Sequence, residues 1–278
     1  MEVKQIVKML LLEGNPNGRI MCNLDNWIGN SYKIPRALVK NSADRPDLSY
    51  TGIYILFGMI DEKEVAYIGE AEDVYYRLRQ HLDKKEFWNE CLVFVSKDNN
   101  LNKAHVKYIE NKLYRYALKA ERYIVENKTI PTESTLSEFD LVDMDKFIEN
   151  IKLVTSMYGY KIFDEIIPVD SSIDERNLLF INIDKKDIFA KAIVTEEGFV
   201  VLKGSKVSPE FTKGTTDCFK VSGAKLREQG VINSDNIFIK DHIFSSPSGA
   251  AVIVVGRNSN GLTEWKNIDG RSLKELGY

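Results

Sequence analysis

Tyr54, Tyr67, Arg77, His81, Glu110 and Asn127 are side chains that can grip an oxyanion, hold a cation or move a proton, and they follow one another in the first half of the sequence. Gly52-Ile53-Tyr54 and Tyr67-Ile68-Gly69 each read as a short buried strand, with Ile55-Leu56-Phe57-Gly58 and the turn-prone Asp61-Glu62-Lys63-Glu64 between them. Such a hairpin places the two tyrosines within reach of one another. A phenol is a poor base unless a cation or metal lowers its pKa, and both tyrosines read equally as core residues with satisfied hydroxyls. Arg77 lies eight residues past Gly69. Its planar guanidinium can grip two oxygens of a phosphate at once; the plainer alternative is a surface arginine on an amphipathic helix. His81, four residues further on, can relay a proton or contact a phosphate, although helix-face histidines are commonly incidental.

The elements that must carry these groups follow from periodicity. A helix beginning near Glu72 places Val74, Leu78 and Leu82 on one buried face, while Arg77 and His81, at i and i+4, project side by side from another stripe. Leu92-Val93-Phe94-Val95 reads as a third strand, and Leu101 to Ala120 as a second helix with Val106, Ile109, Leu113 and Ala120 on its apolar side. At about 100° per residue, Glu110 falls at the edge of that stripe beside Lys103 and Lys107, between buried and wet, where a metal ligand would need to be. Lys112, Arg115, Lys119 and Arg122 fall on the opposite, solvated side. Glu70, Glu72 and Asp73 read as charges favoured at a helix N-terminus. Asn127 follows the long helix, with Asn111 as its rival, and asparagines also terminate helices routinely.

In order and spacing these positions resemble the GIY-YIG nuclease superfamily, which takes its name from the two strands. The resemblance implies a small antiparallel sheet flanked by helices that cuts DNA phosphodiesters with one divalent metal. On that pattern Glu110 is the metal ligand, for Mg²⁺ or Mn²⁺, and Arg77 the phosphate clamp. One of Tyr54 and Tyr67, which one being open, activates the water, with His81 near it and Asn127 holding the site together. A lone carboxylate suits Mg²⁺, which keeps several waters and completes its shell with phosphate oxygens. DNA is then the partner, in defence, restriction or repair, and a homodimer would serve double-strand cutting. Two other classes stay open: a catalytically inactive DNA-binding protein on the same scaffold, and an interaction or scaffold protein.

Charge speaks only modestly for nucleic acid. The net charge is −3, yet residues 74–128 carry 12 Lys/Arg against 7 Asp/Glu, whereas 129–165 carry 3 against 8. No apolar run approaches the ~20 residues needed to span a bilayer; the stretch from Met1-Glu2-Val3-Lys4 lacks a secretory signal's small-residue cleavage site, and Leu10-Leu11-Leu12 is soon followed by Glu13. Cys22, Cys91 and Cys218 are dispersed and odd in number, which fits a reducing cytoplasm rather than a disulfide framework or zinc cluster.

The fold class expected is α+β, in four segments: a β-rich leader (1–48), the nuclease domain (49–163), a linker (164–177) and a small α+β C-terminal domain (178–278). In the leader, Gln5–Leu12 and Arg19–Leu24 read as a hairpin around Gly14–Gly18, with Trp27 packing it onto the next domain. A further amphipathic helix, roughly Leu136 to Tyr158, closes the nuclease domain. The C-terminal domain reads as a hairpin, Ile188–Val194 and Phe199–Lys203, then helices around Thr216–Gln229 and Ser248–Val255. Ser246 with Pro247 reads as a helix cap, Trp265 as core, and His105 and His242 as structural. Phe244-Ser245-Ser246-Pro247-Ser248-Gly249-Ala250-Ala251, with the Asn-Gly and Trp that follow, resembles an uncharacterised module. That module recurs behind GIY-YIG domains in bacteria and is similar to one beside adenine methylases of restriction systems. The resemblance implies a role in DNA recognition.

Overall fold

A computed structural model describes residues 4–132, 134–166 and 175–278. The chain divides into two compact units, Met1–Glu165 and Ile166–Tyr278. Of the expected linker, residues 167–174, with Pro168, Ser171 and Ser172, lie outside the described residues.

The first unit is built on strands β1 (Val7–Leu11), β2 (Ile20–Leu24), β3 (Gly29–Pro35), β4 (Gly52–Ile60) and β5 (Lys63–Ala71), helix α1 (Val74–Lys84), strand β6 (Trp88–Ser96), helix α2 (Lys103–Ala120), strand β7 (Ile124–Val125) and helix α3 (Glu138–Met157). One seven-stranded sheet runs in the order β1-β2-β3-β6-β4-β5-β7. Every pairing is antiparallel except the short parallel β5–β7 contact. The leader hairpin forms as expected, but it is not an appendage. The unanticipated β3 pairs with β6 along its whole length and merges the leader into the same sheet. Its polar Asn30 and Ser31 hide it from a hydrophobic reading; both are buried, and Ser31 donates to the Cys22 carbonyl. The third strand, β6, lies between β3 and β4 rather than at an edge, which explains its unbroken apolar run: both faces are covered.

Strand alternation divides the core. Ile53, Ile55, Phe57 and Ile68 face α2 and α3, meeting Val106, Ile109, Leu113 and Ile151. Tyr54, Leu56, Val93 and Val95 face the other way, against Val74 and Leu78 of α1. Trp27 is buried against Phe147 of α3, with ring centroids 5.3 Å apart. Asp73 caps α1 by accepting from the Tyr76 N–H at 2.8 Å. Asn102 and His105 form a capping box on α2.

The second unit carries β8 (Leu179–Ile183), β9 (Ile188–Thr195), β10 (Gly198–Val201), α4 (Asp217–Glu228), β11 (His242–Phe244), α5 (Pro247–Val255) and α6 (Gly261–Glu264). Its antiparallel sheet has the order β11-β10-β9-β8, and β8 is a strand the sequence reading missed. Ser246 caps α5, its Oγ accepting from the Gly249 N–H at 3.1 Å, with Pro247 in the first turn. Apolar on all sides, α5 runs through the core. Trp265 is fully buried and donates from Nε1 to the Pro247 carbonyl at 3.0 Å. His242 packs among Phe238 and Phe244. Among the described residues, no helix is long and apolar enough to cross a membrane. The three cysteines are free.

Candidate active site

The β4–β5 register pairs Tyr54 with Gly69 and Leu56 with Tyr67, so the two tyrosines lie diagonally on the α1 face of the sheet, ring centroids 6.2 Å apart. Gly69 is required by this packing: a Cβ there would lie 2.3 Å from the Tyr54 ring and hydroxyl. The i, i+4 spacing on α1 brings Arg77 and His81 over the same rings. Arg77 donates from Nε to the Tyr54 oxygen at 3.4 Å and from Nη1 to Gln80 at 3.1 Å. His81 Nε2 lies 2.8 Å from the Tyr54 hydroxyl.

Burial sets the protonation of this cluster. The Tyr54 hydroxyl is pushed far up by burial and then by its neighbour Tyr67, so it keeps its proton. Burial first, then the charges of Arg77, Lys85 and Lys84, push His81 down to about 4, so its imidazole is neutral at neutral pH. Tyr54 therefore accepts from Arg77 and donates to a bare Nε2. The imidazole proton then sits on Nδ1, which is buried without a partner.

On the other side of the β5 edge, α2 supplies Glu110. An open cleft of about 340 Å³ is lined by Tyr67, Glu70, Lys85, Lys107, Glu110, Asn127 and the loop from Lys128 to Thr132. Burial, and next the negative charge of Glu70, push the Glu110 carboxyl up to about 7, against the opposing pull of Lys103 and Arg77. Strand alternation explains Glu70: it stands two residues past Ile68 on the α2 face of β5, where it meets Lys103 at 2.9 Å. It is thus a wall of the cleft, and its reading as a helix N-terminal charge is corrected, whereas Asp73 does cap α1.

Asn127 spends both halves of its amide on one strand residue. Its Oδ1 accepts from the Ile68 N–H at 3.1 Å and its Nδ2 donates to the Ile68 carbonyl at 2.7 Å, continuing the ladder begun by β7. The rival, Asn111, is buried and donates to the Pro131 carbonyl at 2.6 Å, so it anchors the loop that borders the cleft.

The six expected residues thus form two joined groups. Tyr67, Glu110 and Asn127 line the cleft. Tyr54, Arg77 and His81 form a hydrogen-bonded group behind Tyr67, whose ring is 5.5 Å from that of His81. His81 is buried behind the tyrosines, its Nε2 turned to the Tyr54 hydroxyl rather than to the cleft. Sequence reasoning missed Lys85, whose ammonium sits 4.0 Å from the Tyr67 ring centroid. The signal was available: Lys85 continues the i, i+4 series of Arg77 and His81. Arg79 is exposed, as its offset of two from Arg77 implies.

Two carboxylates on a polar cleft, Glu110 and the Lys103-paired Glu70, with the Tyr67 phenol beside them, are oxygen donors that suit a hard divalent cation. Among the described residues no group of three or more His, Cys, Asp or Glu side chains is gathered for a metal. A cation here would therefore take most of its shell from water and substrate, as Mg²⁺ does.

Residues 50–131 match the family described as GIY-YIG catalytic domain, and residues 179–277 match a Domain of unknown function (DUF4357). No curated protein and no solved structure matches the chain.

Proposed function

We propose that this chain, with its GIY-YIG catalytic domain, is a divalent-metal-dependent DNA endonuclease hydrolysing phosphodiester bonds in the cleft at the β5 edge. The observation that carries the reading is the meeting of Tyr67, Glu110 and Asn127 on one cleft, backed by the Arg77–Tyr54–His81 hydrogen bonds. Glu110 holds the cation, with Glu70 adding negative potential. A divalent ion there would absorb charge developing on the phosphate and polarise its oxygens.

The remaining steps belong to the side chains. Arg77, aimed by Tyr54 and Gln80, clamps phosphate oxygens. Tyr67, the half-exposed phenol, orients the attacking water, and Lys85 and Lys107 give the cleft a cationic rim for the DNA backbone. Tyr54, kept protonated by burial and hydrogen-bonded to His81 Nε2, stays a neutral anchor for Arg77 behind Tyr67, and the proton shed by the water leaves to solvent through the open cleft. Asn127 keeps the backbone between Tyr67 and Gly69 in place. One cleft cuts one strand at a time, so a double-strand break calls for a homodimer or a second encounter.

The test is supercoiled plasmid incubated with wild type and with Glu110→Ala, each with Mg²⁺, Mn²⁺ or EDTA. Nicking or linearisation by wild type alone, abolished by EDTA, supports both the activity and the ligand. Equal cutting by the variant sinks the assignment of Glu110. Salt-dependent DNA binding without cutting by either protein would leave a DNA-binding scaffold.

A further inference from the structure

In the sheet of the second unit, β8 and β9 bury one face in the core, while the start of the opposite face, before the buried Ile193 and Val200, is open. Leu179, Ile181, Ile188, Ala190 and Ala192 of β8 and β9 are buried in the core. The alternate residues, Phe180, Asn182, Phe189 and Lys191, stand on the opposite face. The register pairs Phe180 with Lys191 and Asn182 with Phe189, so the four make one contiguous square. The two phenyl rings lie side by side, centroids 6.3 Å apart and planes 33° apart, and Phe189 is 43% exposed. The Lys191 ammonium is 5.7 Å from the Phe189 centroid.

Two single bridges extend the square. Lys266 pairs with Phe180 and Lys206 pairs with Phe189, and directly paired residues share a face. Each ring is therefore flanked by lysine. Lys206 is also held by Asp187. The β8–β9 turn adds Lys185 and Lys186 against Asp184 and Asp187. Past residue 165 the chain carries 15 basic and 15 acidic residues, so this gathering of cations around the half-buried Phe180 and the exposed Phe189 is local rather than a reflection of composition.

Exposed aromatics contribute little to folding, and a ring face flanked by ammonium groups matches a particular chemistry. Every nucleobase has a π-face and every linkage between bases carries a negative charge. In a duplex those faces are stacked away, so only unpaired bases can use the rings. We propose that the Phe180–Phe189 face binds single-stranded DNA, with bases stacked on the two rings and Lys191, Lys206 and Lys266 on the phosphates. Binding is argued from this unit alone; the choice of DNA over RNA rests on the nuclease reading of the first unit.

The test measures fluorescence anisotropy of fluorescein-labelled oligothymidylate with the full chain carrying Glu110→Ala, in EDTA, so that cutting plays no part. Phe189→Ala should raise Kd about tenfold or more, the range for loss of one stacked base, while Phe189→Tyr keeps the affinity. Lys191→Gln should reduce the slope of log K against log salt by about 0.7, the value for one phosphate on a single strand. Circular dichroism checks that each variant is folded. An unchanged Kd in the folded double variant Phe180→Ala/Phe189→Ala overturns the proposal. Equal or tighter binding of oligouridylate, with the same dependence on Phe189, overturns the choice of DNA. Self-association at rising concentration, lost in the same double variant and with no oligonucleotide bound, assigns the face to a second copy and overturns it as well. Failure of the plasmid assay would leave all of these readouts intact, so the two readings can fail separately.

Discussion

The Tyr54 hydroxyl and His81 Nε2 are hydrogen-bonded at 2.8 Å, with both side chains almost wholly shut off from solvent. This one contact decides how the first unit responds to acid. Burial lowers His81 from its ordinary 6.5 to about 4. Between those values the unfolded chain binds more protons than the folded one, so stability falls as pH drops through that window. The full cost is roughly 3 kcal/mol at 1.36 kcal/mol per pH unit. Urea titrations from neutral to acid pH should show it. His81→Gln, which retains a hydrogen-bonding partner for Tyr54, should remove that slope. Parallel pH dependence in the two proteins would mean that His81 is not held neutral by burial.

Glu110 works in the opposite sense. Its carboxyl rises from 4.5 to about 7 through burial and the charge of Glu70. The folded state binds the extra proton there, so this group's contribution is present at low pH and is lost as pH rises through about 7. Without divalent metal at about pH 8, Glu110→Gln should therefore stabilise the protein by about 1 to 2 kcal/mol, discounted for partial exposure. Mg²⁺ should raise the Tm of wild type more than that of the variant, because a cation supplies the missing counter-charge. An equal Mg²⁺ shift in both proteins would remove Glu110 as the ligand.

The legible parts of this site are those governed by local periodicity. The β4–β5 hairpin is set by alternation and turn residues, and the 77/81 pair by one turn of helix. The rim position of Glu110 follows from the apolar stripe of α2. Glu70 was misread because its neighbours in sequence belong to the start of α1, whereas its neighbours in space, Lys103 and Glu110, belong to α2. Only the placement of α2 across β5 reveals that. The burial of His81 is likewise non-local, since it depends on two tyrosines of the sheet that α1 covers. Strand β3 escaped because its central residues are polar, and they are polar because they bond to neighbouring strands and to Asp47. Strand β8 was short and followed a stretch read as linker.

Gly69 gives a steric test of the same packing. Adding a methyl group at this position puts it 2.3 Å from the ring and hydroxyl of a buried Tyr54. Gly69→Ala should cost about 1 to 3 kcal/mol, the range for overpacking a core, read as a drop in Tm. Combining it with Tyr54→Leu should cost less than the sum of the two single changes, because the smaller side chain removes the clash. Strict additivity would show that Gly69 and Tyr54 do not press on one another.

Asn127 is placed to act on the site through the backbone of Ile68, the residue between Tyr67 and Gly69. Removing both hydrogen bonds by Asn127→Ala should cost about 1 to 3 kcal/mol and should free the Ile68 amide. Asn127→Asp is the sharper variant. A carboxylate still accepts from the Ile68 N–H, but it meets the Ile68 carbonyl with an acceptor where the native amide has a donor. Amide hydrogen exchange by NMR should therefore show Ile68 deprotected in the alanine variant and more protected in the aspartate variant. Cutting should fall in both, because repulsion at the carbonyl displaces the strand beside Tyr67 even when the amide stays bonded. Full activity in Asn127→Asp would mean that only the N–H contact matters for holding Tyr67 on the cleft.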